Sequence, residues 1–120
     1  MAVTGIGGLF FRASNPDELT AWYLEHLGVG ANIPGGEYVW QQSAGPTVFA
    51  PFKADTDYFP QDKQWMLNLR VEGLDELIAK LRAADIDVAT KDEWNTPETG
   101  RFARLHDPDG NPIELWEPPA

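Results

Sequence analysis

One strand-helix pattern occurs twice in this chain, and no other sequence feature limits its fold as much. Residues 8–23 read GLFFRASNPDELTAWY and residues 66–81 read MLNLRVEGLDELIAKL. At an offset of 58, Leu9, Arg12, Asp17, Glu18, Leu19 and Ala21 are matched by Leu67, Arg70, Asp75, Glu76, Leu77 and Ala79. A repeat at fixed spacing marks duplicated architecture. It predicts two curved βαβββ modules that face each other around a pocket.

Local signals fill in each module. Residues 5–13 alternate, with Leu9, Phe11 and Ala13 on one face and Gly8, Phe10 and Arg12 on the other. Asn15-Pro16-Asp17-Glu18 starts a helix: an Asn cap, Pro at the first helical position and acids in the first turn. Leu19, Trp22, Tyr23, His26 and Leu27 form its apolar stripe, and Gly28 ends it. Asn32-Ile33-Pro34-Gly35-Gly36 is a turn before two expected strands, Glu37–Gln42 and Thr47–Phe52. Module 1 thus spans about 4–55, a polar linker about 53–63, and module 2 about 64–118, all within one domain of 120 residues.

In module 2 a strand is expected at about 64–72. Leu67, Leu69 and Val71 share one face, and Met66, Asn68 and Arg70 share the other. A helix at about 74–84 follows, with Leu74, Leu77, Ile78 and Leu81 as its stripe. A short strand near 86–90, a loop over 91–99, and strands at about 101–106 and 112–117 complete the module. The last two flank Asp107-Pro108-Asp109-Gly110-Asn111, whose Asp-Gly suits a tight turn.

Charge and composition narrow the partners. Nine basic against nineteen acidic residues give a net charge of −10, a field that repels nucleic acid. The absence of cysteine excludes disulfides, thiolate nucleophiles and Cys-based metal sites. No apolar run approaches the roughly 20 residues of a membrane span. The N-terminal segment has neither a basic start nor a long apolar run, so a cytoplasmic location is expected.

The repeat, the length and the segment HDPDGNPIELWEP together resemble the vicinal-oxygen-chelate superfamily, which includes glyoxalase I, extradiol dioxygenases and bleomycin-resistance proteins. The resemblance covers nearly the whole chain. It implies an α+β fold in which two βαβββ modules build a curved eight-stranded mixed sheet with helices on its outer side, and it implies a homodimer. It also implies four inward positions, filled by His and Glu in metal-using members. Here they correspond to Gly8, Met66, a position near Val48 or Ala50, and Glu114. Only Glu114 keeps the ligand type. A catalytic divalent ion generally takes three protein ligands plus an open position, and a thioether suits soft ions. No metal and no other cofactor is therefore expected.

The expected pocket face presents Phe10, Met66, Asn68, Glu114 and Trp116, with Arg12 and Arg70 at equivalent places in the two modules. Trp40 and Gln42 share a parity on their strand, and Phe49 adds to the wall. Trp65 has the opposite parity to Met66, and Trp94 lies in a loop at the pocket mouth. Glu114 is either a carboxylate paired with an arginine or amide, or a general base. His26, near a helix end, and His106, before the tight turn, are read as structural. Gly5-Ile6-Gly7-Gly8 precedes a strand, which is the wrong setting for a phosphate loop. Ser14 and Ser43 lack a nucleophile-elbow context.

These features point to metal-independent binding of a small organic ligand, by sequestration or carriage, as in the bleomycin-resistance branch. The alternative is a glyoxalase-like lyase or isomerase, or a dioxygenase, working through Glu114 with or without a divalent metal.

Overall fold

The computed structural model describes residues 2–30 and 39–120. The expected turn at 32–36 and the start of the strand expected at 37–42 lie outside the described residues. Two helices occupy the same place in the repeat. Helix α1 spans Pro16–Leu27 and helix α2 spans Leu74–Ala83, so their first residues are separated by the 58-residue offset. The Asn15 side chain accepts a hydrogen bond from the Glu18 amide and caps α1, and Gly28, at φ +70°, closes it. Position 73, the repeat partner of Asn15, is glycine and has no side-chain cap. The Leu74 amide instead donates to Glu117 Oε1 at 3.0 Å, so the end of the chain's last strand supplies the cap for α2.

Three strands form the sheet among the described residues: β1 Leu67–Arg70, β2 Arg101–His106 and β3 Pro112–Glu117. Their order is β1-β3-β2, with β1 parallel and β2 antiparallel to β3. The strand expected near 86–90 is reduced to one bridge, Ala89 to Arg104. The segments expected as strands over 5–13 and 47–52 form no ladder with this sheet. Their apolar side chains face outward: Phe10 is 94% exposed and Phe49 86%.

The core lies between the sheet and the helices. Ala103, Leu105, Ile113 and Leu115 are fully buried on one sheet face, against Leu74, Ile78 and Leu81 of α2 and Leu19 and Tyr23 of α1. Each buried Leu or Ile side chain among these contributes about 1.5–3 kcal/mol. Because side chains alternate along a strand, this packing turns the other face of β1, β2 and β3 away from the helices.

The hairpin turn also fastens the N-terminal part of the chain, through Ser14 and Tyr23, to the sheet. The buried Asp107 side chain accepts from the amides of Asp109 and Asn111, from Asn111 Nδ2 and from the Tyr23 hydroxyl. Asp109 accepts from both the amide and the hydroxyl of Ser14. Phe11 meets Trp65 edge to face, with ring centroids 5.1 Å apart.

Candidate functional site

The tight turn at 107–111 fixes which residues of β2 and β3 stand opposite each other. Phe102 pairs with Trp116, Arg104 with Glu114 and His106 with Pro112. On the other side of β3, Asn68 of β1 pairs with Glu114 and Arg70 with Trp116. The helix-free face therefore carries two full cross-strand rows, Asn68–Glu114–Arg104 and Arg70–Trp116–Phe102. The Phe102 and Trp116 rings are nearly parallel, with an interplanar angle of 10° and centroids 6.5 Å apart. The Trp116 indole N–H donates to the Thr99 carbonyl and so has a fixed orientation.

Glu114 is the centre of this face and is only 5% exposed. Burying a carboxyl group is costly unless its oxygens are paired. Asn68 Nδ2 donates to Oε1 at 2.8 Å, and the Tyr58 hydroxyl donates to Oε2 at 2.7 Å. Arg104 Nε lies 3.7 Å from the same Oε2, close enough for ionic attraction and too far for a hydrogen bond. That Nε is buried and has no hydrogen-bond partner among the described residues. The Arg104 guanidinium also lies 3.9 Å from the Tyr58 ring centroid and 4.5 Å from that of Trp94, two cation–π contacts. Its Nη1 donates to the Tyr58 carbonyl at 3.2 Å. Burial raises the Tyr58 phenol pKa above its ordinary value, the bond to Glu114 raises it further, and Arg104 offsets part of that rise. Tyr58 accordingly acts as a proton-bearing donor.

Beside this cluster opens a cavity of about 410 Å3, bordered by Tyr58, Phe59, Met66, Arg104, His106 and Pro112. Its volume is in the range of small-molecule sites, and its walls are largely apolar with a few polar groups. His106, read from sequence as purely structural, shares a strand face with Arg104 and borders this space.

The structure gathers some of the expected site residues and separates others. Asn68 and Glu114 are in contact, and Arg70, Trp116 and Met66 fall on the same face or its rim. Arg70 does not reach Glu114. It extends along the segment that includes Gly45, where an added Cβ would collide with its guanidinium, and donates to the Ser43 carbonyl at 3.1 Å. Arg12 and Gln42 are exposed, Trp40 is half-buried, and Phe10 and Phe49 point into solvent.

The partner of Glu114 is thus Arg104 instead of Arg12 or Arg70. Sequence held a usable signal for it. A turn between His106 and Pro112 sets a register in which position 104 faces 114. Tyr58 had no such signal. It lies in the polar stretch read as a linker, and only the folded chain lays that stretch over the sheet.

A family model described as "Glyoxalase-like domain" matches residues 8–116. The crystal structure of TnmS3, an antibiotic-binding protein from Streptomyces sp. CB03234, is similar over 98% of this chain and 98% of that one, with 28% identity and a TM-score of 0.62. No curated protein matches this chain.

Proposed function

This chain belongs to the glyoxalase-like domain family, within the vicinal-oxygen-chelate superfamily, and from that premise we propose that it binds a small organic ligand without using a metal. Glu114 carries this reading. Both its oxygens accept hydrogen bonds from protein donors, and the nearest cation is the chain's own Arg104. A divalent ion at Glu114 would have to compete with those donors and sit beside a guanidinium. The positions that would complete its shell hold Gly8 and Met66. This donor set does not fit such an ion.

The ligand is read as partly aromatic. The Phe102–Trp116 pair offers ring surface, the cavity beside Met66 offers volume, and Asn68, Arg70, Arg104 and Glu114 offer polar contacts. The structural neighbour TnmS3 is an antibiotic-binding protein, which supports sequestration as the mode of action. Phe10, Arg12, Trp40, Gln42 and Phe49 join the site in this proposal through assembly. Sheet β1-β3-β2 leaves one edge of β1 without a partner among the described residues, while apolar side chains of module 1 stand in solvent. A soluble monomer rarely leaves so much apolar surface uncovered. A second copy would cover these residues and complete the eight-stranded sheet. Among the described residues no helix is long and apolar enough to cross a membrane, and action in the cytoplasm is part of the proposal.

The alternative, a glyoxalase-like lyase or dioxygenase working through Glu114, would need Tyr58 or Asn68 to release the carboxylate oxygen to which each now donates. A thermal-shift panel of small aromatic molecules and antibiotics, run with and without divalent metals and chelator, tests the choice. A ligand present at about 100 times its Kd stabilises the native state by roughly 2.7 kcal/mol. The expected result is a ligand-dependent rise in melting temperature that chelator leaves unchanged. Stoichiometric divalent metal bound through Glu114 would overturn the reading. Turnover of a bound ligand that Glu114→Gln abolishes would replace it with the enzyme.

A further inference from the structure

Building on the reading that this site holds a small aromatic molecule, we propose that the ligand carries a phenolic hydroxyl and binds by displacing Tyr58 from Glu114. Tyr58 is itself a hydroxylated aromatic ring in the most polar part of the site. Its hydroxyl donates to Glu114 Oε2 at 2.7 Å while its ring lies 3.9 Å from the Arg104 guanidinium carbon. An acceptor carboxylate beside a cation over a ring is the arrangement that recognises a phenol. The chain satisfies that arrangement from within.

Tyr58 is also placed to leave. It is 38% exposed and lies in the 53–63 segment, which forms no helix or strand. Several of the segment's bonds are internal, among them the Tyr58 amide to Thr56 Oγ1 and the Lys63 amide to the Pro60 carbonyl. These can move with the ring, while the Arg104 Nη1 bond to the Tyr58 carbonyl either follows the shift or breaks. Departure does not strand the buried carboxylate. Asn68 keeps its bond to Oε1, and the unpartnered Nε of Arg104 is 3.7 Å from the vacated Oε2. A shift of under an ångström, on the order of ordinary side-chain motion, gives both groups a partner. The adjoining 410 Å3 cavity accommodates the rest of a fused ring system.

Because Tyr58 competes with the ligand for Glu114, it lowers apparent affinity in proportion to the time it occupies the site. Calorimetric titration of 2-naphthol and 2-methoxynaphthalene into the full chain, Tyr58→Phe and Glu114→Gln tests this. The methyl ether keeps the rings and loses the donor. The native chain should prefer naphthol by at least about tenfold, and Tyr58→Phe should bind naphthol about tenfold more tightly, each reflecting one hydrogen bond to a charged group. Glu114→Gln should shrink the preference, since a neutral acceptor is weaker.

Equal binding of the two compounds, or unchanged or weaker naphthol binding by Tyr58→Phe, overturns the displacement and leaves aromatic binding intact. Binding of neither compound by the native chain and Tyr58→Phe overturns the phenol assignment. Only a silent ligand panel in addition would overturn the broader function.

Discussion

Tyr23 and Asp107, 84 positions apart in sequence, meet in a buried hydrogen bond of 2.7 Å that ties α1 to the β2–β3 turn. Tyr23→Phe keeps the ring in the core and removes only this bond. Asp107 retains three other donors, so the cost should be about 1.5 kcal/mol. Urea denaturation should show a lower midpoint at an unchanged slope. Burial first, and then Asp107, raise the Tyr23 pKa above its ordinary value. A raised pKa gives stability that is complete below the unfolded value near 10 and is lost as pH rises further. Tyr23→Phe should therefore flatten the alkaline limb of the stability curve.

Ser14 and Asp109 form the second tie, and this one is sensitive to acid. The two hydrogen bonds from Ser14 hold the Asp109 carboxyl below its usual pKa, with Lys63 nearby adding to the effect. A depressed pKa stabilises the fold above the unfolded value near 4, and the contribution is lost as pH falls through the folded value. Ser14→Ala should lower the melting temperature at pH 7. The difference from the native chain should shrink at pH 3.

Gly100 has φ +102°, and a Cβ there would stand 2.3 Å from the Glu117 carbonyl oxygen. Both the backbone conformation and the space exclude a side chain. Gly100→Ala should cost about 3 kcal/mol, seen as a lower denaturation midpoint. It should also weaken the hold of Thr99 on the Trp116 indole, visible as a change in tryptophan fluorescence.

Arg104→Met preserves much of the side-chain volume and removes the cation beside Glu114. The carboxylate keeps Asn68 and Tyr58, so the loss should be about 1–3 kcal/mol. In a double-mutant cycle with Glu114→Gln, the two changes should be non-additive by about 0.5–2 kcal/mol. An additive result would mean that the 3.7 Å approach carries no coupling.

Phe49 is 86% exposed and Phe10 94%. If a second copy covers them, light scattering of the native chain should give a dimer mass. Phe49→Asp should shift it toward monomer with little change in helical circular dichroism. A monomer at every concentration in the native chain would remove the second copy from the proposed site.

Much of the C-terminal half was legible in the sequence. The predicted strands at 101–106 and 112–117 match β2 and β3, and α2 begins at Leu74 as the offset requires. Strict alternation and a tight Asp-Gly turn are local signals, decided by residues a few positions apart. Alternation also placed Asn68, Glu114 and Trp116 on one face. The N-terminal half was legible only in its helix. Its expected strands have the right alternation, yet a strand exists only when another strand supplies hydrogen bonds, and local sequence does not say which strand that is.

The sequence by itself determined the two helices at their 58-residue offset, the closing hairpin and the side of the sheet on which Glu114 lies, because periodicity and turn chemistry are short-range. The tertiary structure alone decided what surrounds that carboxyl group. Tyr58 reaches it across 56 positions, from a stretch whose composition says only that it is polar. Register on neighbouring strands brings Asn68 and Arg104 to either side of it. Pairing of a buried charge depends on which groups share its space, and that is settled only when the chain closes over the sheet.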